Sequence, residues 1–378
     1  MTSATKTDLG MGLDAWAIDD DVVRLREWGS ERIHALPEPG YAPNAPHAPH
    51  APHAPHAPID ELTIGSADSC SLQLVDPTNC LSRQHVRLVR EGTRWVAHDL
   101  DSKNGMRLDG VRRPKALLEP GSELGLGGIT LIAESARLIA LGSFLARLLG
   151  WSSDHCETVD LALRSVRLAA TRRAALALCG EGDLVSIARG LHRYSLGDQR
   201  PFVLCDPKRR ATDASAALEN YIEGMRAFEA AAGGSMCMWS KRLPRDFAEV
   251  TTALRDPSTR VQLIVCGQRP PDRKELVSAP IEVPPLASRP EEIDRVIDEY
   301  AADAAMLLQV PASFTKLDRD WVRMHSATSL PEIEKGTARI VALREAGNVA
   351  RAAGLLGMAH ASLGEWIGRR RLPMGALK

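Results

Sequence analysis

What this chain lacks narrows its chemistry before any motif is read. It has almost no net charge, with 47 Lys and Arg against 48 Asp and Glu. A protein that coats nucleic acid along its whole length is excluded, and any DNA contact has to come from a local basic patch. It lacks paired cysteines as well: the seven present, Cys70, Cys80, Cys156, Cys179, Cys205, Cys237 and Cys266, are scattered and form no Cys-x-x-Cys. They read as reduced thiols of a cytoplasmic protein rather than as a disulfide framework or a zinc site. Long apolar runs are missing too, because the longest, 138–151, is interrupted by Arg147 and is too short to span a bilayer. Asp8, Asp14 and Asp19 to Asp21 replace the basic-then-apolar order of a signal peptide. These absences predict a cytoplasmic protein with no membrane partner. Its 378 residues leave room for two or three domains.

What is present changes character along the chain. Residues 42–58 repeat an Ala-Pro-His triplet, with His47, His50, His53 and His56 spaced by three. Proline at every third position favours polyproline II, whose three-residue turn rises about 9 Å. Histidines that far apart cannot share one tetrahedral metal ion without a bend. The tract reads as a low-complexity loop, with a metal or pH-sensing role as the alternative. Strands expected over 31–36 and 62–64 place it inside a β domain. From 59 to 133 short alternating runs are bounded by Asp-Pro, Glu-Gly and Asn-Gly turns, an all-β pattern. Helices expected over 159–171 and 184–192 then alternate with apolar strands over 174–179, 201–205, 236–239 and 261–266, which argues for a parallel sheet covered by helices. An amphipathic helix comes next, over 291–308.

Two runs in the β region carry chemistry. Leu81-Ser82-Arg83-Gln84-His85 supplies a hydroxyl and a guanidinium fork. Asp99-Leu100-Asp101-Ser102-Lys103-Asn104-Gly105 supplies a second hydroxyl and a side-chain amide. A phosphate, with about two negative charges and three acceptor oxygens, needs such donors converging from loops on a rigid scaffold. The two runs resemble the signature of forkhead-associated (FHA) domains, β-sandwiches that read phosphothreonine in a partner protein. The resemblance implies phosphate contacts from Ser82, Arg83 and Ser102, a grip on the peptide backbone from Asn104, and a bracing role for His85. In that family the opening strand usually ends Gly-Arg; here Gly65 precedes Ser66, so Arg83 is expected to carry most of the positive charge.

The α/β block resembles the central AAA+ ATPase domain of sigma-54-dependent enhancer-binding proteins. The resemblance is carried by Leu178-Cys179-Gly180-Glu181, the 187–195 stretch, Pro201-Phe202-Val203, the 227–235 stretch, and Pro284-Pro285-Leu286 followed by Arg289-Pro290-Glu291-Glu292-Ile293. Its chemistry is missing. A phosphate-cradling loop needs G-x-x-x-x-G-K-[ST], whereas Gly180-Glu181-Gly182-Asp183 runs straight into the helix. Trp239-Ser240 stands where the family has an Asp-Glu pair. Only twenty residues separate Asp206 from Ala227, which leaves little room for a loop that engages the sigma factor. No catalytic residue, no cofactor and no ATP hydrolysis are expected.

At the far end Gly347 ends one expected helix, 331–346, and Asn348 caps the next, 349–356. The 347–358 run resembles the helix-turn-helix of Fis-type DNA-binding domains. The resemblance puts a third helix, 360–370, in the major groove, with His360, Ala361, Ser362, Glu365, Trp366 and Arg369 at or near base edges, Leu363 and Ile367 inward, and Arg370 and Arg371 on phosphates. From 330 to 378 eight Lys and Arg outnumber four Asp and Glu, the local patch that the neutral whole conceals. The expected architecture is multidomain: an FHA sandwich over 23–135, a degenerate AAA+-like α/β domain over 143–285, a helical lid or linker over 286–328, and an all-α helix-turn-helix domain over 329–378. The expected function is a DNA-binding transcription regulator with a threonine-phosphorylated protein and double-stranded DNA as partners, acting as at least a dimer. An active sigma-54 ATPase and a phosphoprotein scaffold without DNA binding are the alternatives.

Overall fold

The computed structural model describes residues 21–38, 60–171, 174–209, 219–256, 258–269, 279–311, 313–370 and 372. The Ala-Pro-His tract and Arg371 lie outside them. The chain forms two compact units, one from residues up to 146 with 152–174 and 193–197, the other from 147–151, 175–192 and 198 onward.

The first unit is a β-sandwich. Its strands are β1 (Val22–Glu27), β2 (Ile33–Ala35), β3 (Glu61–Gly65), β4 (Leu72–Gln73), β5 (Val86–Glu91), β6 (Arg94–Asp99), β7 (Met106–Leu108), β8 (Val111–Arg112), β9 (Lys115–Leu117), β10 (Glu123–Leu126) and β11 (Ile129–Ser135). One sheet runs β2-β1-β11-β10-β7-β8 and the other β4-β3-β5-β6-β9. Alternation places Ile64, Val86, Leu88, Trp95, Ala97, Met106, Leu124, Leu126 and Leu131 between the sheets, all buried. Each large apolar side chain so buried contributes about 1.5–3 kcal/mol. The first strand precedes the one expected over 31–36. A register shift between Val22 and Arg24 breaks its alternation, so the period-2 signal is lost there.

Besides the end of a later helix at 193–196, two helices belong partly or wholly to this unit: α1 (Ala136–Leu149), as far as Ala146, and α2 (Cys156–Thr171). The sequence pattern assigns α2 to the α/β block, yet its charges are matched to the sandwich. Buried Asp160 accepts from Arg26 at 2.5 Å and from the Gly29 N–H at 2.7 Å. Arg164 pairs with Glu123 at 2.5 Å while its guanidinium lies 3.9 Å from the Trp28 ring. Arg167 grips Asp109 at 2.8 Å. Such partly buried bidentate pairs fix geometry as well as adding energy.

In the second unit the strands are β12 (Leu176–Cys179), β13 (Phe202–Cys205), β14 (Asn220–Tyr221), β15 (Ser235–Trp239), β16 (Gln262–Gly267) and β17 (Ile281–Glu282). They form one parallel sheet, β14-β13-β15-β16-β12-β17. All residues of β12 and β16 are buried, the continuous apolar reading of strands covered on both faces. The helices among them are α3 (Leu184–Leu196), α4 (Gly224–Ala230) and α5 (Phe247–Leu254). Phe228, Val250 and Leu254 pack on Met236, Met238 and Leu263.

The remaining helices are α6 (Ile293–Leu308), α7 (Lys316–His325), α8 (Leu330–Ala346), α9 (Val349–Leu355) and α10 (His360–Arg370). Pro290 holds a short 3-10 turn just before α6, which delays its start from the expected residue 291. A capping box of Thr315 and Asp318 opens α7, and Arg344 of α8 clamps the same Asp318 at 2.7 Å. No helix of the described residues is long and apolar enough to cross a membrane.

Candidate functional site

The two chemistry-bearing runs meet at one end of the sandwich, and a buried histidine joins them. The Nδ1 of His85 accepts the Ser82 backbone N–H at 3.1 Å, which leaves its proton on Nε2, donated to the Gly105 carbonyl at 3.3 Å. The ring is fully buried and neutral in this arrangement. Burial pushes its pKa below the usual value, although Gly105, Asp99 and Asp76 pull the other way. Gly65 lets the end of β3 lie flat on the Ser82–Arg83 backbone, because a Cβ there would overlap the Arg83 carbonyl. Ser66 donates its backbone N–H to the Ser82 carbonyl at 3.1 Å, and Ala67 and the Cys70 thiol donate to the Arg83 carbonyl at 3.0 and 3.1 Å.

With its backbone held, Arg83 projects an exposed guanidinium that has no hydrogen bond or ion pair among the described residues. The Ser82 hydroxyl accepts the Lys103 backbone N–H at 3.1 Å, so its own proton is free to be donated outward. Asn104 is exposed. One amide proton goes to the Cys80 carbonyl at 2.7 Å, leaving its carbonyl oxygen and second proton for a bound backbone. Cys80 is itself positioned by Asp76, whose carboxylate accepts from the Thr78 hydroxyl at 2.7 Å and from the N–H groups of Thr78, Cys80 and Gly128. The Thr78 hydroxyl, with those N–H groups, lowers its pKa to about 2.

Ser102 departs from its expected place. It is 7% exposed and donates its hydroxyl to Asp99 at 2.6 Å, inside its own loop. The side chain that reaches solvent beside Ser82 is the next one, Lys103, also without a hydrogen bond or ion pair among the described residues. Nothing in the run of polar residues 101–104 distinguishes these two positions. Asp101 adopts a left-handed φ of 52°, which turns the backbone immediately before Ser102 and Lys103. Two free cations and a free hydroxyl proton therefore surround the site, where the sequence pointed to one cation and two hydroxyls.

The loop after β12 lies at the carboxyl end of the parallel sheet, the usual ligand crevice of open α/β sheets. Here the chain's own side chains occupy it. Asp183 Oδ2 accepts from the Ser186 hydroxyl at 2.7 Å in the first turn of α3, and from Lys335 of α8 at 3.3 Å. Burial alone would raise the Asp183 pKa; the Ser186 and Lys335 contacts hold it below its ordinary value. At the end of β13, farther along the sheet, buried Asp206 pairs with Arg242 at 2.9 Å. No group of three His, Cys, Asp or Glu able to hold a metal ion occurs among the described residues.

In the helical region, Asn348 caps α9 by accepting the Arg351 N–H at 2.9 Å, and Gly347 ends α8 at φ 68°. Ala352, Ala353 and Leu363 are buried where α9 and α10 meet. His360, Ala361, Ser362, Glu365 and Arg369 are exposed on α10, with Glu365 and Arg369 paired at 2.8 Å. Trp366 is not at the surface with them. It is 5% exposed, edge-on to Trp321 of α7 at 5.6 Å and beneath the guanidinium groups of Arg339 and Arg370. Its large apolar ring takes a core position that α7 completes from outside the local motif. Arg370 is drawn inward too, to Glu332 at 2.8 Å and the His325 carbonyl at 3.3 Å.

The FHA domain model matches residues 62–127, the stretch that contains both loops. Among solved structures the chain is similar to EmbR of Mycobacterium tuberculosis in complex with a low-affinity phosphopeptide, at 21% identity over 30% of this chain and 24% of that one, TM-score 0.22. It is similar to the first FHA domain of Rv1747 from Mycobacterium tuberculosis, at 22% identity over 30% of this chain and 98% of that one, TM-score 0.20. A third is the FHA domain of the CT664 protein from Chlamydia trachomatis, at 18% identity over 29% of this chain and 92% of that one, TM-score 0.22. No curated protein matches the chain.

Proposed function

We propose that the FHA domain at residues 62–127 binds a threonine-phosphorylated protein, and that the chain passes this input to DNA as a transcription regulator that does not hydrolyse ATP. One observation carries the reading. Among the described residues, the Arg83 guanidinium and the Lys103 side chain have no hydrogen bond or ion pair, and each belongs to a residue beside a Ser82 hydroxyl that already accepts the Lys103 N–H. That set presents only donors, the complement of a phosphate dianion. Lys103 supplies the charge that Ser66 does not.

The DNA half is supported by the capped α9, the close crossing of α9 and α10 at Ala352 and Ala353, and the exposed polar face from His360 to Arg369. Lys335, Arg339, Arg369 and Arg370 add positive charge beside it. Burial above all, with repulsion from Arg370 and Arg369 and against the pull of Glu332, lowers the Arg339 pKa. Trp366 and Arg370 then serve as supports of that surface, and a homodimer reading paired half-sites is part of the proposal. The absence of hydrolysis is supported by a strand-end loop whose carboxylate, Asp183, repels a phosphate.

Genome-wide mapping of DNA bound by the full chain tests the proposal, with the wild type compared with Arg83→Ala. Discrete enriched sites whose occupancy falls in the variant are expected. Absence of enriched sites overturns the DNA half; occupancy indifferent to the substitution overturns the phosphate input. Magnesium-dependent ATP turnover overturns the third part.

A further inference from the structure

The hairpin beside the phosphate loops carries charge that the described residues do not neutralise. Its turn, Asp109-Gly110, has both residues at positive φ, 50° and 79°, the type I′ geometry that sets a two-residue hairpin. This register puts Arg107 of β7 directly opposite Arg112 of β8. Like charges in that position destabilise a strand pair. The carboxylate nearest in sequence, Asp109, is engaged by Arg167 at 2.8 Å. Neither Arg107 nor Arg112 makes an ion pair among the described residues, and both are exposed.

The Arg107 guanidinium donates to the Gly110 carbonyl of the turn at 3.3 Å, a contact that leaves its charge unneutralised. On the next strand Gly125 stands opposite Arg107, and a Cβ there would lie 3.4 Å from the Arg107 Cβ, so the row continues as open floor. At the other end the Arg112 guanidinium lies against Gly105, where a Cβ would come within 2.8 Å of its Cζ. Gly105 comes directly after Asn104. The Arg112 guanidinium thus covers the buried residue next to Asn104, close to a peptide backbone held by the Asn104 amide.

We infer that Arg112, backed by Arg107, recognises an acidic side chain adjacent to the phosphothreonine in the partner, so that the domain selects phosphorylated acidic segments. This rests on the phosphothreonine reading of the neighbouring loops. A guanidinium and a carboxylate match as planar forks, and an acidic side chain laid between two opposed arginines removes their repulsion.

The test uses the full chain and a peptide library with phosphothreonine fixed and its neighbours randomised. Captured peptides are sequenced for the wild type, Arg112→Glu, Arg112→Gln and Arg107→Gln. The wild type should enrich Asp or Glu at one flanking position, with individual acidic peptides binding about fivefold more tightly than their amide counterparts, the size of an exposed ion pair. Arg112→Gln should abolish that preference and Arg112→Glu should reverse it toward Lys or Arg. Arg107→Gln should weaken it, and added salt should shrink it in the wild type. Phosphopeptide capture without acidic enrichment, or enrichment that survives Arg112→Glu, overturns the inference and leaves the phosphothreonine reading standing. Failure of the wild type to prefer phosphorylated over unphosphorylated peptides overturns both.

Discussion

The Ser82–Asn104 end of the sandwich and the strand-end loop of the parallel sheet are both places where a fold ordinarily receives an anion, and they treat their charges in opposite ways. In the sandwich the backbone is tied down by His85, Asp76, Gly65 and the Ser66 and Ala67 amides, while Arg83, Lys103 and the Ser82 proton have no partner among the described residues. In the parallel sheet the order is inverted: Asp183 is met by Ser186 and Lys335, and Asp206 by Arg242. A rigid frame with unsatisfied side chains is prepared for a ligand. Carboxylates such as Asp183 and Asp206, already met from within, are committed to the fold.

The largest expected effect tests the open end. Arg83→Ala should weaken phosphothreonine-peptide binding about a hundredfold by fluorescence anisotropy, the scale of losing a charge-assisted fork. Its thermal midpoint should stay within about a degree or two of the wild type, because the side chain holds nothing in the fold. A large fall in stability would break the comparison. His85→Gln should do the reverse, costing about 1–3 kcal/mol of stability in chemical denaturation because the Ser82 amide or Gly105 carbonyl loses its partner. Binding should fall with it.

The same histidine gives a pH signature. Its folded pKa lies below the unfolded value, so the neutral ring stabilises the fold fully above about pH 6.5. Below that pH the unfolded chain takes up a proton that the native ring resists, and stability is lost down through the folded pKa. Wild-type melting temperatures should drop over this window, and His85→Gln should flatten the slope. An unchanged slope would show that His85 does not hold the loops as the neutral tautomer.

The smallest effect belongs to the closed end. Asp183→Asn should shift stability by under about 1 kcal/mol, since the pair with Lys335 is two-fifths exposed on both sides. Neither the wild type nor the variant should gain thermal protection from magnesium ATP. A rise of several degrees in either would show that the internal pairs do not keep a nucleotide out.

Much of this was legible in the residues. The sandwich strands, the alternation of strand and helix after residue 174, the Asn348 cap and the limits of α10 all come from local periodicity and turn chemistry. What local pattern could not carry depended on partners far along the chain. The assignment of α2 to the first unit rests on Asp160, Arg164 and Arg167 finding Arg26, Glu123 and Asp109. Trp366 reads as a surface residue until Trp321 is placed beside it. Ser102 and Lys103 exchange roles through one left-handed residue, Asp101.

The way the chain is shared between the two units has a practical corollary. The backbone passes from one to the other between 146 and 147, 151 and 152, 174 and 175, 192 and 193, and 197 and 198. A protease nick at one of these passages cannot release either unit whole, and a gene fragment ended after the last sandwich strand at Ser135 strips Arg26 of Asp160 and Asp109 of Arg167. An FHA domain cut at the edge of its sheet therefore loses these partners from α2. An excised version that carries α2 keeps Arg26, Glu123 and Asp109 paired.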